Sequence, residues 1–157
     1  MTLLAKDIMV RNFDTVTTNT PAETAIKMIL NGKIRKTGHK TISLLVTDDY
    51  GQLVGVVTMF DILYHFRPDF LNHGIDSSFM EWKGALVSGI HSFAEKKVDQ
   101  IMSTNIVSAK PEDHLMVVID RMVKNKYRRL PVLESGKPIG VVYIGDVYYH
   151  LFNEIGS

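Results

Sequence analysis

The sequence predicts an α/β (α+β) fold in which two pseudo-symmetric β-α-β-β-α repeats pack face to face through their sheets. Three observations carry that expectation. Residues 55–66, GVVTMFDILYHF, return at 140–151 as GVVYIGDVYYHL, with a Gly, two Val, an Asp, a Tyr and a His in register. Around each copy, short apolar β-branched runs alternate with helix-compatible stretches in the same order. A unit of about sixty residues buries too little surface to be comfortable alone, so two copies sharing a core are the natural solution.

The first repeat opens on a short apolar-charged segment at 3–9 that ends Asp7, Ile8, Met9 and is echoed by Asp99, Gln100, Ile101 and Met102. Residues 13–17 read as a strand. Thr20-Pro21-Ala22-Glu23 then reads as a helix start, with Thr at the cap, Pro at the first position and Glu at the third. Asn31-Gly32 ends that helix. The basic stretch GKIRKTGHK at 32–40 reads as a solvated loop. A strand at 42–47 follows, then a turn at Asp48-Asp49-Tyr50-Gly51, a strand at 53–57 and a helix at 59–66. The runs at 54–57 and 139–142 lack polar alternation and are expected to be central strands buried on both faces.

Residues 67–97 are too long for a bare linker. Phe79, Trp82, Leu86, Ile90 and Phe93 recur at helical spacing, with Ser77 or Ser78 available as a cap, although Gly84 and Gly89 weaken the helix. Trp82 is expected to pack on the repeats or on a second subunit. The second repeat has its helix starting at Pro111, with Leu115, Val118, Ile119, Met122 and Val123 on one apolar stripe that reads as core. Tyr127-Arg128-Arg129 lead into a strand at 130–133, and Glu134-Ser135-Gly136 form its turn. The chain thus divides into a first repeat at 1–66, a helical intervening segment at 67–97 and a second repeat at 98–157.

Thr58 stands where a strand passes into a helix, with Asp61 three residues later. That spacing fits a capping box, in which each side chain satisfies an orphan backbone N–H. It also fits a ligand site, because a helix N-terminus presents N–H groups and a carboxylate there accepts hydrogen bonds from a sugar diol. Local spacing favours the cap. In the second copy Tyr143 replaces Thr58 and cannot cap in that way, yet Asp146 remains, so the Asp answers to something besides capping.

Composition bounds the function. With 157 residues, 45% of them hydrophobic, and a formal charge of +1, the chain is a globular protein without the basic face of a nucleic-acid binder. It has no cysteine, which excludes disulfides and thiolate chemistry and fits a reducing compartment. No apolar run approaches the roughly 20 residues that cross a bilayer, and residues 1–10 do not read as a signal peptide, so a cytoplasmic location away from membranes is expected. No phosphate loop, dinucleotide fingerprint or nucleophile elbow is present, and none of the six His pairs at the spacing of a helical zinc site. His65 and His150, equivalent in the repeat, sit near helix ends where an imidazolium meets the negative end of the dipole. Asp48 and Asp49 read as turn formers. Neither catalysis nor a metal is expected.

The AKDIM and VDQIM segments, the Pro-led helices, the RRLPVL strand and the GVVTMFD and GVVYIGD junctions together resemble a tandem pair of cystathionine β-synthase (CBS) domains, the Bateman module. The likeness covers nearly everything outside 67–97. It implies a non-catalytic sensor that binds an adenosine compound, AMP, ADP, ATP or S-adenosylmethionine, in clefts between the repeats. It further implies a homodimer and a regulated enzyme or transporter as partner. Carried onto this sequence, the resemblance makes Thr58, Asp61 and Asp146 ribose-binding positions and sets Arg128 and Arg129 at the phosphates. Tyr143 stands where Thr or Ser is expected, and Ile42 and Ser43 stand where the second repeat has its two Arg, so the clefts are unequal. The resemblance also brings Asn12, Asp14 and Thr104 in from the leading strand of the partner repeat. The alternative is a ligand-free structural pairing module, because an Asp and two Arg can equally form an internal salt bridge.

Overall fold

The computed structural model describes residues 3–32, 43–67 and 82–153. In the first repeat, α1 (Ala5–Ile8), β1 (Thr15–Thr17), α2 (Ala22–Leu30), β2 (Ser43–Thr47), β3 (Leu53–Thr58) and α3 (Met59–Phe66) follow in order. Next comes α4 (Trp82–His91), and then α5 (Val98–Ile101), α6 (Leu115–Asn125), β4 (Arg129–Glu134), β5 (Lys137–Tyr143) and α7 (Ile144–Phe152) complete the second repeat. The expected α+β pair of repeats is what the structure shows. Residues 33–42, which carry most of the basic loop and Ile42, lie outside the described residues, as do Ser77, Ser78 and Phe79.

β2 lies between β1, parallel to it, and β3, antiparallel, whereas β4 and β5 form a two-stranded antiparallel sheet. Two expectations are corrected here. The runs at 54–57 and 139–142 are not the middle strands: β2 holds the centre of its sheet, and β3 has β2 on one side only. In the second repeat the counterpart of β1 shrinks to one parallel bridge, Ala109 to Val132, held by Ala109 N–H to Pro131 O at 2.9 Å and Leu133 N–H to Ala109 O at 2.9 Å.

The open edges are closed by an exchange between repeats. Val56 of β3 bridges Ser103, which follows α5, through bonds of 3.0 and 2.9 Å, and Val141 of β5 bridges Val10, which follows α1, through bonds of 3.0 and 2.8 Å. Each leading helix therefore enters the other repeat's core. Ala5, Ile8 and Met9 cluster with Leu115, Val118, Met122, Leu130, Val132 and Val142, while Val98 and Ile101 cluster with Val16, Ala25, Ile29, Leu44, Val46 and Val57. Burying a side chain such as Ile8 contributes about 1.5–3 kcal/mol, enough to anchor a four-residue helix that could not form alone. Glycine is required where the exchange is tightest: a Cβ on Gly55 would lie 2.5 Å from Met102 Sδ, and one on Gly140 would lie 2.5 Å from Met9 Sδ.

Two helix starts differ from expectation. α2 begins at Ala22 with Pro21 at the cap position, and the Thr20 hydroxyl turns back to accept from Thr17 N–H at 3.2 Å instead of capping. α6 begins at Leu115, not Pro111. Residues 110–113 form a turn fixed by Asp113 Oδ2, which accepts from Lys110 N–H at 2.8 Å and Arg121 Nη1 at 2.7 Å, and His114 Nδ1 takes the cap from Met116 N–H at 3.0 Å. The Lys110 amide, aided by Arg121, holds the Asp113 carboxyl below its ordinary value against the opposing effect of burial. On the α6 stripe Leu115, Val118 and Met122 are buried, but Val123 is 62% exposed. Of the intervening stripe, Phe93 packs into the first core, whereas Trp82, Leu86 and Ile90 are exposed. Asp48 forms its turn as expected: Oδ1 accepts from Tyr50 N–H at 2.9 Å and Gln52 N–H at 3.0 Å.

Candidate functional site

The capping box expected at the first junction is present. Asp61 Oδ2 accepts from Thr58 N–H at 2.8 Å and from the Thr58 hydroxyl at 3.0 Å, and that hydroxyl accepts from Asp61 N–H at 3.3 Å. The cap is only part of the role of Asp61. Its other oxygen, Oδ1, accepts from the hydroxyl of Ser103 at 2.6 Å, so the carboxylate joins the two repeats. A carboxylate has about four lone-pair positions. Three are occupied, which leaves one on Oδ1, and a second is obtainable if a hydroxyl rotates away.

Above this carboxylate opens a cavity of about 390 Å³, within the size range typical of small-molecule sites. The first repeat contributes Leu45, Val56, Thr58, Met59, Phe60 and Asp61. The second contributes Ser103, Asn105, Ile106, Val107, Pro131 and Val141, together with the run Lys126, Tyr127, Arg128 and Arg129. The walls are thus mostly apolar, with one carboxylate at the start of a helix and three cationic residues among the lining. That arrangement suits an amphipathic anion with a hydroxyl-bearing part, since guanidinium forks match phosphate oxygens.

Local structure explains the cation run. α6 ends on Lys126, whose φ of 56° and ψ of 38° are left-handed, and Tyr127 N–H then returns to Met122 O at 3.0 Å. Such a residue is ordinarily Gly at this position, and a side chain there costs about 1–2 kcal/mol. The reversal leads Tyr127, Arg128 and Arg129, the first residue of β4, along the cavity.

Thr58, Asp61, Arg128 and Arg129 therefore come together in one cavity. Thr104 lies between two lining residues, Ser103 and Asn105, and is not itself among the lining residues. Asn12, Asp14, Tyr143 and Asp146 belong elsewhere. The sheet register sets Arg129 opposite Tyr143 and Ser43 opposite Thr58, so Tyr143 is the structural counterpart of Thr58 and Ser43 that of Arg129. Tyr143 is 5% exposed and makes no side-chain cap, and Asp146 is 4% exposed. Sequence reasoning missed Ser103, Asn105, Lys126 and Tyr127. Lys126 and Tyr127 directly precede the two Arg, and the Ile-Met echo followed by Ser103 could have flagged the others.

Comparison with known proteins identifies the family and the fold. The family described as CBS domain matches residues 5–67 and 98–153. Among solved structures, CBSX2 in complex with AMP is 25% identical, with a TM-score of 0.69 over 96% of this chain and 97% of that one. The CBS domain pair of protein MJ0100, in complex with 5′-methylthioadenosine and S-adenosyl-L-methionine, is 21% identical, with a TM-score of 0.69 over 98% of this chain and 99% of that one. A 56-residue stretch, 36% of this chain, is 36% identical to the zinc metalloprotease MJ0392 of Methanocaldococcus jannaschii, and the match spans 16% of that protein's length. Among the described residues no three His, Asp or Glu side chains converge on a point that could hold a metal, and no helix is long and apolar enough to cross a membrane. With both halves matched and each leading segment seated in the other repeat, the chain belongs to the CBS domain family, as a tandem pair.

Proposed function

We propose that this chain is a regulatory module that binds an adenosine compound, AMP, ADP, ATP or S-adenosylmethionine, in the Asp61 cavity and passes its occupancy to a partner protein such as an enzyme or transporter. The observation that carries this reading is the convergence, from two repeats, of a carboxylate, apolar walls and three cations on one 390 Å³ space. The complexes of CBSX2 with AMP and of MJ0100 with methylthioadenosine and S-adenosylmethionine support the ligand class. CBS domain pairs are in general regulatory rather than catalytic.

In this reading Asp61 accepts from the ribose hydroxyls, the apolar walls enclose the base, and Lys126, Arg128 and Arg129 meet phosphate oxygens. A ribose hydroxyl competes with Ser103 for Oδ1, so binding acts on a contact between the repeats. The same event reaches α3, whose outer face exposes Phe60, Leu63 and Tyr64. Tyr148 and Tyr149 on α7 and Leu86, Val87 and Ile90 on α4 are likewise exposed, and exposed apolar side chains of this kind suit contact with a second copy of the chain. Sedimentation giving a dimer at micromolar concentration supports that pairing, and a monomer refutes it.

Titration calorimetry with AMP, ATP and adenosine tests the ligand class. The wild type should bind AMP below millimolar, and Arg128→Ala should weaken ATP more than adenosine. Absence of binding by any of these or by S-adenosylmethionine, from a folded protein, would favour the ligand-free pairing module instead.

A further inference from the structure

The second junction repeats the strand-to-helix turn of the first, with the larger Tyr143, 5% exposed, where the first has Thr58. Thr58 maps onto Tyr143, Asp61 onto Asp146 and Ser103 onto Val10, as the paired bridges Val56 to Ser103 and Val141 to Val10 require. Tyr143 forms a buried cluster with Leu45 and Val141, against which Val10, Phe13 and Val56 pack. Leu45, Val56 and Val141 also line the open cavity, so they form the wall common to both sides. Phe13 and Val10 are the counterparts of Ile106 and Ser103, which line the open side.

We propose that Tyr143 is a built-in plug: its ring fills the second cleft, seals Asp146 from solvent and limits the module to one ligand per chain. The ring is bulky and apolar, and the surrounding side chains are apolar, so filling the cleft is favoured by burial and needs no ligand. The first junction has the short Thr58 at the same place and keeps its space. The single-ligand stoichiometry rests on the nucleotide reading above; the sealing of Asp146 does not.

Carbodiimide coupling of glycine ethyl ester to carboxyl groups, read by peptide mass spectrometry, tests the plug without any nucleotide. In the wild type Asp61 should be modified and Asp146 protected. Tyr143→Thr should make Asp146 modifiable, and Tyr143→Phe should keep it protected. Tyr143→Val serves in place of Tyr143→Thr should the latter not fold. Modification of Asp146 in the native wild type, or its protection in a folded Thr or Val variant, overturns the proposal. Calorimetry with AMP should shift from one site per chain in the wild type to two in Tyr143→Thr, and two sites in the wild type would likewise overturn it. Failure of the wild type to bind AMP while the labelling pattern holds defeats the nucleotide reading and leaves the plug standing.

Discussion

At the first junction Thr58 closes a capping box, Asp61 faces a cavity, and Ser103 reaches across from the other repeat. At the second, Tyr143 and Asp146 are both buried, and Tyr143 makes no side-chain cap. The hairpin β2–β3 is matched by β4–β5, and each last strand makes one bridge to the other repeat's leading segment, Val56 to Ser103 and Val141 to Val10. Thr58 against Tyr143, with Ser103 against Val10 and Ile106 against Phe13, therefore separates a side that opens on a cavity from a side whose Tyr143 is buried. Duplicated scaffolds can divide function from stability in this way, and the division is open to direct tests.

Its largest expected consequence is a difference in stability. Tyr143→Ala should cost about 3–5 kcal/mol, as truncation of a buried aromatic does, whereas Thr58→Ala should cost about 1 kcal/mol for a lost cap. Urea denaturation of both variants checks this, and equal costs would erase the distinction.

Next come the glycines that admit the partner repeat's methionines. Gly55→Ala and Gly140→Ala each force a methyl group onto Met102 or Met9, and should each cost about 1–3 kcal/mol of overpacking. Similar losses in thermal denaturation would show that the exchanged segments are held symmetrically, so that the asymmetry resides at the junctions. A cost at one Gly alone would place it in the exchange as well.

A smaller effect of opposite sign is expected at Lys126. Lys126→Gly relieves a left-handed side chain and should stabilise the fold by about 1 kcal/mol, while removing one of three cations from the cavity and so weakening ATP binding. Gain of stability together with loss of affinity identifies Lys126 as a residue kept for its charge.

The smallest effect concerns a contact outside both junctions. Because the Asp113 carboxyl is held below its ordinary value of 3.8, its contribution to stability is fully present above that value and is lost as pH falls through the lowered one. Asp113→Asn should therefore flatten the decline in urea midpoint as the pH falls below the ordinary value of 3.8. An unchanged acid limb would remove Asp113 from the account.

Much of this was legible because the repeat is written in local sequence. The junction motif, the Asp48 turn, the α6 stripe and the Arg pair each depend on neighbours within a few residues. What was missed depended on partners far along the chain, or on local signals with two meanings. Pro111 reads as a helix start, but Asp113 captures both Lys110 N–H and Arg121, and the turn so formed delays α6 to Leu115. Thr20 reads as a cap, but Thr17 N–H claims its hydroxyl. Ser103 and Asn105 were missed although Thr104 was singled out, because their place on the cavity is set by the Ser103 bridge to Val56 of the other repeat. The burial of Tyr143 could not be read from its own strand, since Val10, Phe13, Val56 and Leu45 arrive from the other repeat.

The most direct test compares the two aspartates by AMP titration of Asp61→Asn and Asp146→Asn, each checked for folding by circular dichroism. An amide keeps the shape but has one acceptor oxygen and adds donors. With Asp61 as the ligand's anchor and Asp146 sealed, Asp61→Asn should weaken AMP by about ten- to a hundredfold, the worth of a charge-assisted hydrogen bond, and Asp146→Asn should leave affinity unchanged. Loss of AMP binding in Asp146→Asn with normal binding in Asp61→Asn would contradict the account.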